Sequence, residues 1–521
     1  MFEGENKREK LTVLLTLCFA LFMAMLDNTV VNIALPKLSD DLGAGISGLQ
    51  WIVDGYVLAF ASLLLTGGIL GDRYGRKRMF LAGLATFTLA SLACGLSANT
   101  GQLIAFRALQ GVGAALLMPG TLSILTVTFP AHERAKAIGI WAGVSGLALA
   151  LGPTVGGWMV EHVGWQSIFF LNVPIGALGF VIGLRNIRES RAEQTRRLDL
   201  GGLALGTAGL FSVTYGLIEA NQLGWSHPLI VTTLALAGVF FAALLSYERR
   251  TDHAMLPLSY FRIPAFSAGN AVAFAVSLGM FGTFFFASLY MQIVRNYSAF
   301  ETGIRFLPLT GMVMFAAPNA GRLASKYGSR WPMTVGLTMV GSGLLLLSRI
   351  GIETSFLLII PVFMMMGLGM GSTMTPMTAA VMNAVGPARA GLGSATTNTS
   401  REVGGVFGIA LLGTLLTTKL KSSFTTAVAG LGLAPGLQSR IVETAGHGRF
   451  DPSLVAALPP GQAAGVGRAF NGAFLDGFHL ACIVAGFVLL AAAFVAYRFI
   501  PSGAPQREMH EDATAEAVAA A

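Results

Sequence analysis

GILGDRYGRK at positions 68–77 and GRLASKYGSR at 321–330 align without a gap, with Gly, Leu, Tyr and Gly in register at 68/321, 70/323, 74/327 and 75/328. Two further positions are basic in both copies, Arg73 with Lys326 and Lys77 with Arg330. Each copy follows one apolar stretch and precedes another. Short loops bearing Gly and Arg also recur between helices by chance. Read as a repeat, the pair divides the chain into two halves of like design, 253 positions apart, which is room for six helices in a half and two more between the halves.

The composition says what surrounds those helices. Of the 521 residues, 54% are hydrophobic and 12% charged, against about 25% charged in soluble domains. A membrane span takes about 20 apolar residues, and such stretches fall near 11–35, 51–71, 79–97, 103–127, 137–160, 167–187, 201–219, 228–247, 266–293, 303–321, 332–349, 355–382, 391–418 and 472–499. The expected fold class is therefore all-α integral membrane, with 14 transmembrane helices in two six-helix bundles and two extra helices between them. The domains read as an N-terminal six-helix bundle (1–187), a cytoplasmic linker plus two extra transmembrane helices (188–262), a C-terminal six-helix bundle (263–502) with an extracellular loop at 419–471, and a disordered cytoplasmic tail (503–521). The run 11–35 is too long for a signal-peptide core and reads as a retained first span. Lys and Arg concentrate in the segments that face inside if the N-terminus is cytoplasmic, among them Arg73, Arg76, Lys77, Arg78, Arg188, Arg191, Arg196 and Arg197. That bias predicts an even number of spans with both termini cytoplasmic.

Several function classes drop out. The net charge of +8 resides in short loops between spans, where lipid orientation accounts for it, so nucleic acid is not an expected partner. Cys18, Cys94 and Cys482 are scattered through apolar stretches and suggest neither disulfides nor a metal site. No GxxxxGK[ST] phosphate cradle appears, which argues against a primary pump. The seven histidines are dispersed and form no reactive constellation, so no enzyme activity and no cofactor are expected.

A carboxylate at mid-membrane costs on the order of 2.5–3.5 kcal/mol on insertion scales and is rare unless paired or functional. Asp27 lies deep in the first span. Burial favours its protonated form and a nearby cation opposes that, so it can load and release a proton as its surroundings alternate. Arg107, in the fourth span, is the obvious cation. Asp54 in the second span is a further acid. For both acids the bland alternative is polar glue between helices. Glu402 follows Arg401 and so points about 100° away from it around a helix; it reads equally as a working carboxylate or an idle one. Asp476 and His479 share one helix face at the start of the last span, where an interfacial role is expected. In the loop at 68–77, Gly68, Asp72, Arg73, Gly75, Arg76 and Lys77 read as a conformational latch, with Asp72 pairing with arginines across the bundle and Gly75 permitting the turn. Ser325 stands where the second copy would have its acid, so the latch should be stronger in the N-terminal half. In the fifth span Gly152, Pro153, Gly156 and Gly157 invite bending and close helix packing. In the ninth, Phe281, Phe284, Phe285, Tyr290 and Met291 either line an apolar substrate cavity or face lipid.

As a set, four motifs resemble the major facilitator superfamily and within it the fourteen-span drug:proton antiporter family. They are LDNTVVNIALP at 26–36, GILGDRYGRKR at 68–78, LIAFRALQGVGAA at 103–115 and GLALALGPTVGG at 146–157, the last running into GWQSIFFLNVPIG at 164–176. The C-terminal half adds the degenerate loop copy and NTSREVGGVFGIALLGT at 398–414. The resemblance implies proton-coupled export of small apolar or cationic drugs and antibiotics across the cell membrane, with small-molecule substrate, protons and the lipid bilayer as partners. It associates the Arg107 position with proton coupling, and makes Gly146, Gly152, Pro153, Gly156 and Gly157 the antiporter motif that accompanies exporters. Some members have an acid near Glu402 and many have glutamine there. A dedicated exporter of one natural product and a same-fold importer are the alternatives. Nothing in the chain indicates whether an envelope partner protein takes part.

Overall fold

A computed structural model describes residues 7–129, 131–191, 199–251, 258–385, 390–446 and 458–502. The C-terminal tail and parts of the segments 188–262 and 419–471 lie outside the described residues. Inside a bilayer no water can satisfy backbone N–H and C=O groups, so apolar stretches of this length close their hydrogen bonds within helices. In chain order these are α1 (Lys7–Leu42), α2 (Ile46–Tyr74), α3 (Arg76–Gly95), α4 (Thr100–Thr128), α5 (Ala131–His162), α6 (Gln166–Phe170) and α7 (Asn172–Asn186). Then follow α8 (Leu200–Leu223), α9 (Pro228–Glu248), α10 (Pro264–Leu289) with a π-helical turn Tyr290–Val294, α11 (Ala299–Arg305), α12 (Leu307–Tyr327), α13 (Arg330–Leu347) and α14 (Phe356–Val385). The last are α15 (Ala390–Ala429), α16 (Pro435–Gly446) and α17 (Pro460–Phe499).

Among the described residues, 11 helical stretches are long and apolar enough to cross a membrane, with α6 and α7 counting as one. The long helices α5, α12 and α13 fall outside that set. All three are nonetheless packed among the others, α5 against α1, α12 against α14, and α13 against α14 and α17. One group of helices comprises α1–α7, a second α10–α17, and the pair α8–α9 stands between them in the chain. The repeated loops turn alike. Gly75 and Gly328 both take left-handed φ, +118° and +83°, a region that other residues occupy only with strain. That requirement explains why glycine recurs in the two copies.

Long helices alternate in direction, so the α1 start, the Gly75 and Gly328 turns and the α17 end share one face of the bundle, the terminal face. Contacts along it agree: Arg188 pairs with Glu9, Lys10 with Glu133, and Arg330 Nε donates to the Ile500 carbonyl. Polar contacts between the halves gather toward the opposite, far face. Gln50 donates to the Ile409 carbonyl at 2.8 Å, Ser288 to the Asn32 carbonyl at 2.7 Å, Gln292 to the Ile33 carbonyl at 3.0 Å, and the Phe300 N–H to Glu161 at 3.0 Å.

The segment 419–471, read as a loop, is largely helical where described. At about 1.5 Å per residue, α15 and α17, of 40 residues each, run to about 60 Å, twice the roughly 30 Å of a bilayer core. Their far-face extensions pair, with Phe424 edge-on to Phe470 at 5.9 Å and Val428 and Val466 buried, and α16 lies against α15. Asp476 consequently sits well inside α17 rather than at a helix start. Gly and Ala in this stretch suggested a loop, but small residues also permit two helices to pair closely.

The far-face seam rests on backbone proximity between α5 and α11. A Cβ at Gly303 would lie 2.1 Å from the Pro153 carbonyl oxygen, and one at Gly157 would lie 2.4 Å from that of Ala299. Gly303→Ala should therefore destabilise the protein in detergent thermal unfolding by about 1–3 kcal/mol through overpacking. Gly311→Ala, where a Cβ meets nothing within 4 Å, should be neutral or stabilising by up to about 1 kcal/mol. Equal effects of the two substitutions would refute the tight seam.

Candidate functional site

The centre of the N-terminal half is a closed polar cluster. Arg107 on α4 and Asp27 on α1 are both essentially inaccessible to solvent, with side chains 0% and 1% exposed, and Arg107 Nη1 meets Asp27 Oδ2 at 2.5 Å. Gln110 Nε2 donates to Asp27 Oδ1 at 2.9 Å and Asn172 Nδ2 to the same oxygen at 3.1 Å. Arg107 also donates through Nη1 to Gln110 Oε1 at 2.8 Å and through Nε to the Ile52 carbonyl of α2 at 3.2 Å. Asn172 reaches on to Ser91, whose hydroxyl donates to the Phe169 carbonyl. Helices α1, α2, α3, α4, α6 and α7 thus meet at one ion pair.

Helical spacing accounts for half of this arrangement. Gln110 follows Arg107 by three positions and therefore lies on the same face of α4. The guanidinium of Arg107 also sits over the Tyr56 ring, with its carbon 4.3 Å from the centroid, a favourable cation–π placement. Asn172, at the start of α7, was not singled out in the sequence; its motif FFLNVP was legible but its reach to Asp27 was not. Each Asp27 oxygen accepts at least one donor, so a proton arriving there must displace an existing hydrogen bond.

Asp54 is placed differently. It is fully buried on α2, one turn from Gln50, which contacts α15, and neither of its carboxylate oxygens has a hydrogen-bond partner among the described residues. Glu402, buried on α15, likewise leaves Oε2 without a partner. His479 Nε2 donates to the Ile350 carbonyl, 2.8 Å away, and Asp476 is exposed.

The remaining expected residues fall into three places. In the loop motif, Asp72 pairs with Arg76 of its own turn at 2.9 Å rather than with arginines across the bundle. The cross-connections come instead from Glu189, beyond α7, which accepts from the Lys77 N–H at 3.1 Å and lies 3.7 Å from Arg78. Lys77 Nζ donates to the Leu184 carbonyl, Arg73 lies over the Tyr74 ring, and a Cβ on Gly68 would meet Pro119 at ordinary distance. In the glycine motif, a Cβ on Gly152 would strike the Thr29 side chain, and one on Gly156 would strike that of Val30, so the α5 backbone packs directly on side chains of α1. The surroundings of Gly146 lie outside the described residues. In the aromatic set, Phe284, Phe285, Tyr290 and Met291 are buried among C-terminal helices rather than facing lipid. Phe284 stacks on Phe306 at 4.9 Å and Tyr290 on Phe478 at 5.3 Å. The void beside Phe284, Met280 and Met366 is about 10 Å³, room for one water at most. Phe281, half-buried, abuts Gly405 of α15.

Removing one partner of a buried ion pair leaves the other uncompensated, at about 3–5 kcal/mol. Arg107→Gln should lower stability by that order, and Asp27→Asn/Arg107→Gln should recover part of the loss, as read by thermal unfolding of purified protein. Strictly additive losses would contradict the pairing.

Residues 17–409 match the Major Facilitator Superfamily. The chain is 35% identical to the tetracenomycin C resistance and export protein of Streptomyces glaucescens, over 93% of this chain and 90% of that protein. It is 38% identical to the methylenomycin A resistance protein of Streptomyces coelicolor, over 78% and 85% of the two chains. With the multidrug resistance protein Stp of Mycobacterium tuberculosis it shares 35% identity over 80% and 78%. Among solved structures, a bacterial homologue of the human lysosomal transporter Spinster, inward-facing and unoccupied, matches with a TM-score of 0.63 at 17% identity, over 95% of this chain and 99% of that one. That likeness is one of fold. Taken with the helices and the buried polar cluster described above, these matches establish that the chain belongs to the Major Facilitator Superfamily, as a multi-pass membrane transporter related to drug and antibiotic resistance exporters.

Proposed function

We propose that this protein exports small apolar or cationic drugs across the cytoplasmic membrane in exchange for protons, through fourteen spans with both termini cytoplasmic. The observation that carries the reading is the contrast among its buried carboxylates. Asp27 is saturated by Arg107, Gln110 and Asn172, whereas Asp54 and Glu402 have oxygens with no partner among the described residues. An unpartnered carboxylate away from water is the arrangement that gains most from binding a proton or an organic cation. Asp54 and Glu402 are the exchangeable sites in this scheme, and the Asp27–Arg107 pair is the fixed charge partner that couples them to the N-terminal half. The span count follows from adding α5, α12 and α13 to the eleven apolar stretches. With the basic loops inside, the far-face seam is extracellular.

One proton moving down a membrane potential supplies about 2.3 kcal/mol per 100 mV, enough for roughly tens-fold accumulation of a substrate. The relatives named for export and resistance favour export over import, and their differing antibiotics leave both a broad and a dedicated exporter within the proposal.

Everted vesicles holding a pH-sensitive dye and an acid interior provide the test, with panels of lipophilic cations and neutral antibiotics added outside. Compound-triggered proton efflux is expected in the wild type, and in Asp54→Asn/Glu402→Gln it should fall to the level of protein-free vesicles. Undiminished efflux in that double variant, or no response to either panel from folded wild type, would contradict the proposal.

A further inference from the structure

The pair α8–α9 joins the two halves in sequence, and one turn of α8 also touches both in space. From the N-terminal half, Trp51 Nε1 donates to Glu219 Oε1 at 2.9 Å and Ser47 Oγ to the Ile218 carbonyl at 3.4 Å. From the C-terminal half, Thr414 Oγ1 lies 2.6 Å from the Leu217 carbonyl, its shorter contact, and 2.8 Å from that of Ala410 in its own helix. Three consecutive residues, Leu217, Ile218 and Glu219, therefore take hydrogen bonds from α2 and from α15. All of them sit toward the far face, where Gln50 of α2 meets Ile409 of α15 directly.

The contact on the α2 side is more than one hydrogen bond. Phe211, Tyr215 and Glu219 recur every four residues and form a stripe along α8. Trp51 packs into that stripe, its ring 5.9 Å from Phe211 and 6.2 Å from Tyr215. On its other side α8 is covered by α9, whose most apolar window is only 11% buried within the protein and so faces lipid. A helix hydrogen-bonded to both halves on one flank and backed by a lipid-facing helix on the other is placed to act on their separation.

We propose that the Leu217–Glu219 turn of α8 is a clip that holds the two halves together at the far face, and that the extra helix pair thereby sets the balance between far-face-closed and far-face-open conformations. This rests on the reading that the halves part during transport, but not on which compound or ion moves. Opening the far face separates α2 from α15, and α8 cannot follow both. One set of its hydrogen bonds must break, so each bond weights the equilibrium toward closure.

The test is a distance measurement that needs neither substrate nor gradient, so its failure is distinguishable from failure of the export reading. Spin labels replace Leu96 and Ile352, which are exposed at far-face ends of the N- and C-terminal halves, while Cys18, Cys94 and Cys482 are buried. Trp51→Phe keeps the ring and removes the N–H; Thr414→Val keeps the shape and removes the hydroxyl. Each should raise the ratio of long to short distances about two- to tenfold in lipid nanodiscs, as expected for one net hydrogen bond, and the double variant should raise it further. Glu219→Leu, which removes the acceptor from the α8 side, should match Trp51→Phe, and Thr233→Val on α9 should leave the ratio unchanged. A wild-type distance distribution in the double variant and in Glu219→Leu, or a shift toward shorter distances, would overturn the proposal.

Discussion

Asp27 and Arg107 face each other where neither reaches water, and the N-terminal half is organised around that fact. A buried pair is tolerable only when most of its remaining hydrogen-bonding capacity is met, and here partners come from several helices, leaving Arg107 Nη2 without one among the described residues. Gln110 serves both members, Asn172 braces the carboxylate, and the Ile52 carbonyl takes a third Arg107 donor. Moving any one of these helices alone would unmake a contact to a buried charge. The half therefore behaves as a unit, which is what a transporter that rocks one half against the other requires.

Among the described residues the C-terminal half has no such ion pair and is held by shape. In lipid no hydrophobic effect draws helices together, so close backbone approach and aromatic stacking do that work. Gly369 of α14 and Gly336 of α13 abut each other's backbones, Gly404 and Gly408 let α15 onto α10, and Phe284, Phe306 and Phe363 stack in series. The seam between the halves uses the same means, with close backbone approaches at Gly157 and Gly303. Polar bonds cross it as well, from Gln50, Ser288 and Gln292 to carbonyls and from the Phe300 N–H to Glu161.

What was legible in the sequence was whatever depends on local order. Apolar stretches gave the helices, the repeated Gly75 and Gly328 gave matching turns, and Gly152, Gly156 and Gly157 marked the close packing of α5 because a missing side chain is visible in any alignment of letters. Beyond the pairing of Asp27 with Arg107, through-space partners were not legible. Nothing in the chain order joins Asn172 to Asp27 or Glu189 to Lys77, since helix polarity says which residues share a level but not which neighbours face them. The aromatic run at 281–291 was ambiguous because its periodicity is the same whether it lines a cavity, faces lipid or packs inward, and inward packing is where the structure puts most of it. The stretch 419–471 misled by composition, small residues serving helix pairing as well as loops.

In the proposed division of labour the Asp27–Arg107 pair is fixed and Asp54 with Glu402 exchanges protons. Proton release on adding substrate to purified protein in weakly buffered detergent solution, followed with a pH indicator, tests it directly. Release is expected from the wild type and from Asp27→Asn, and none from Asp54→Asn/Glu402→Gln. Release that persists in the double variant and vanishes in Asp27→Asn would place the exchangeable proton on the ion pair and contradict the account.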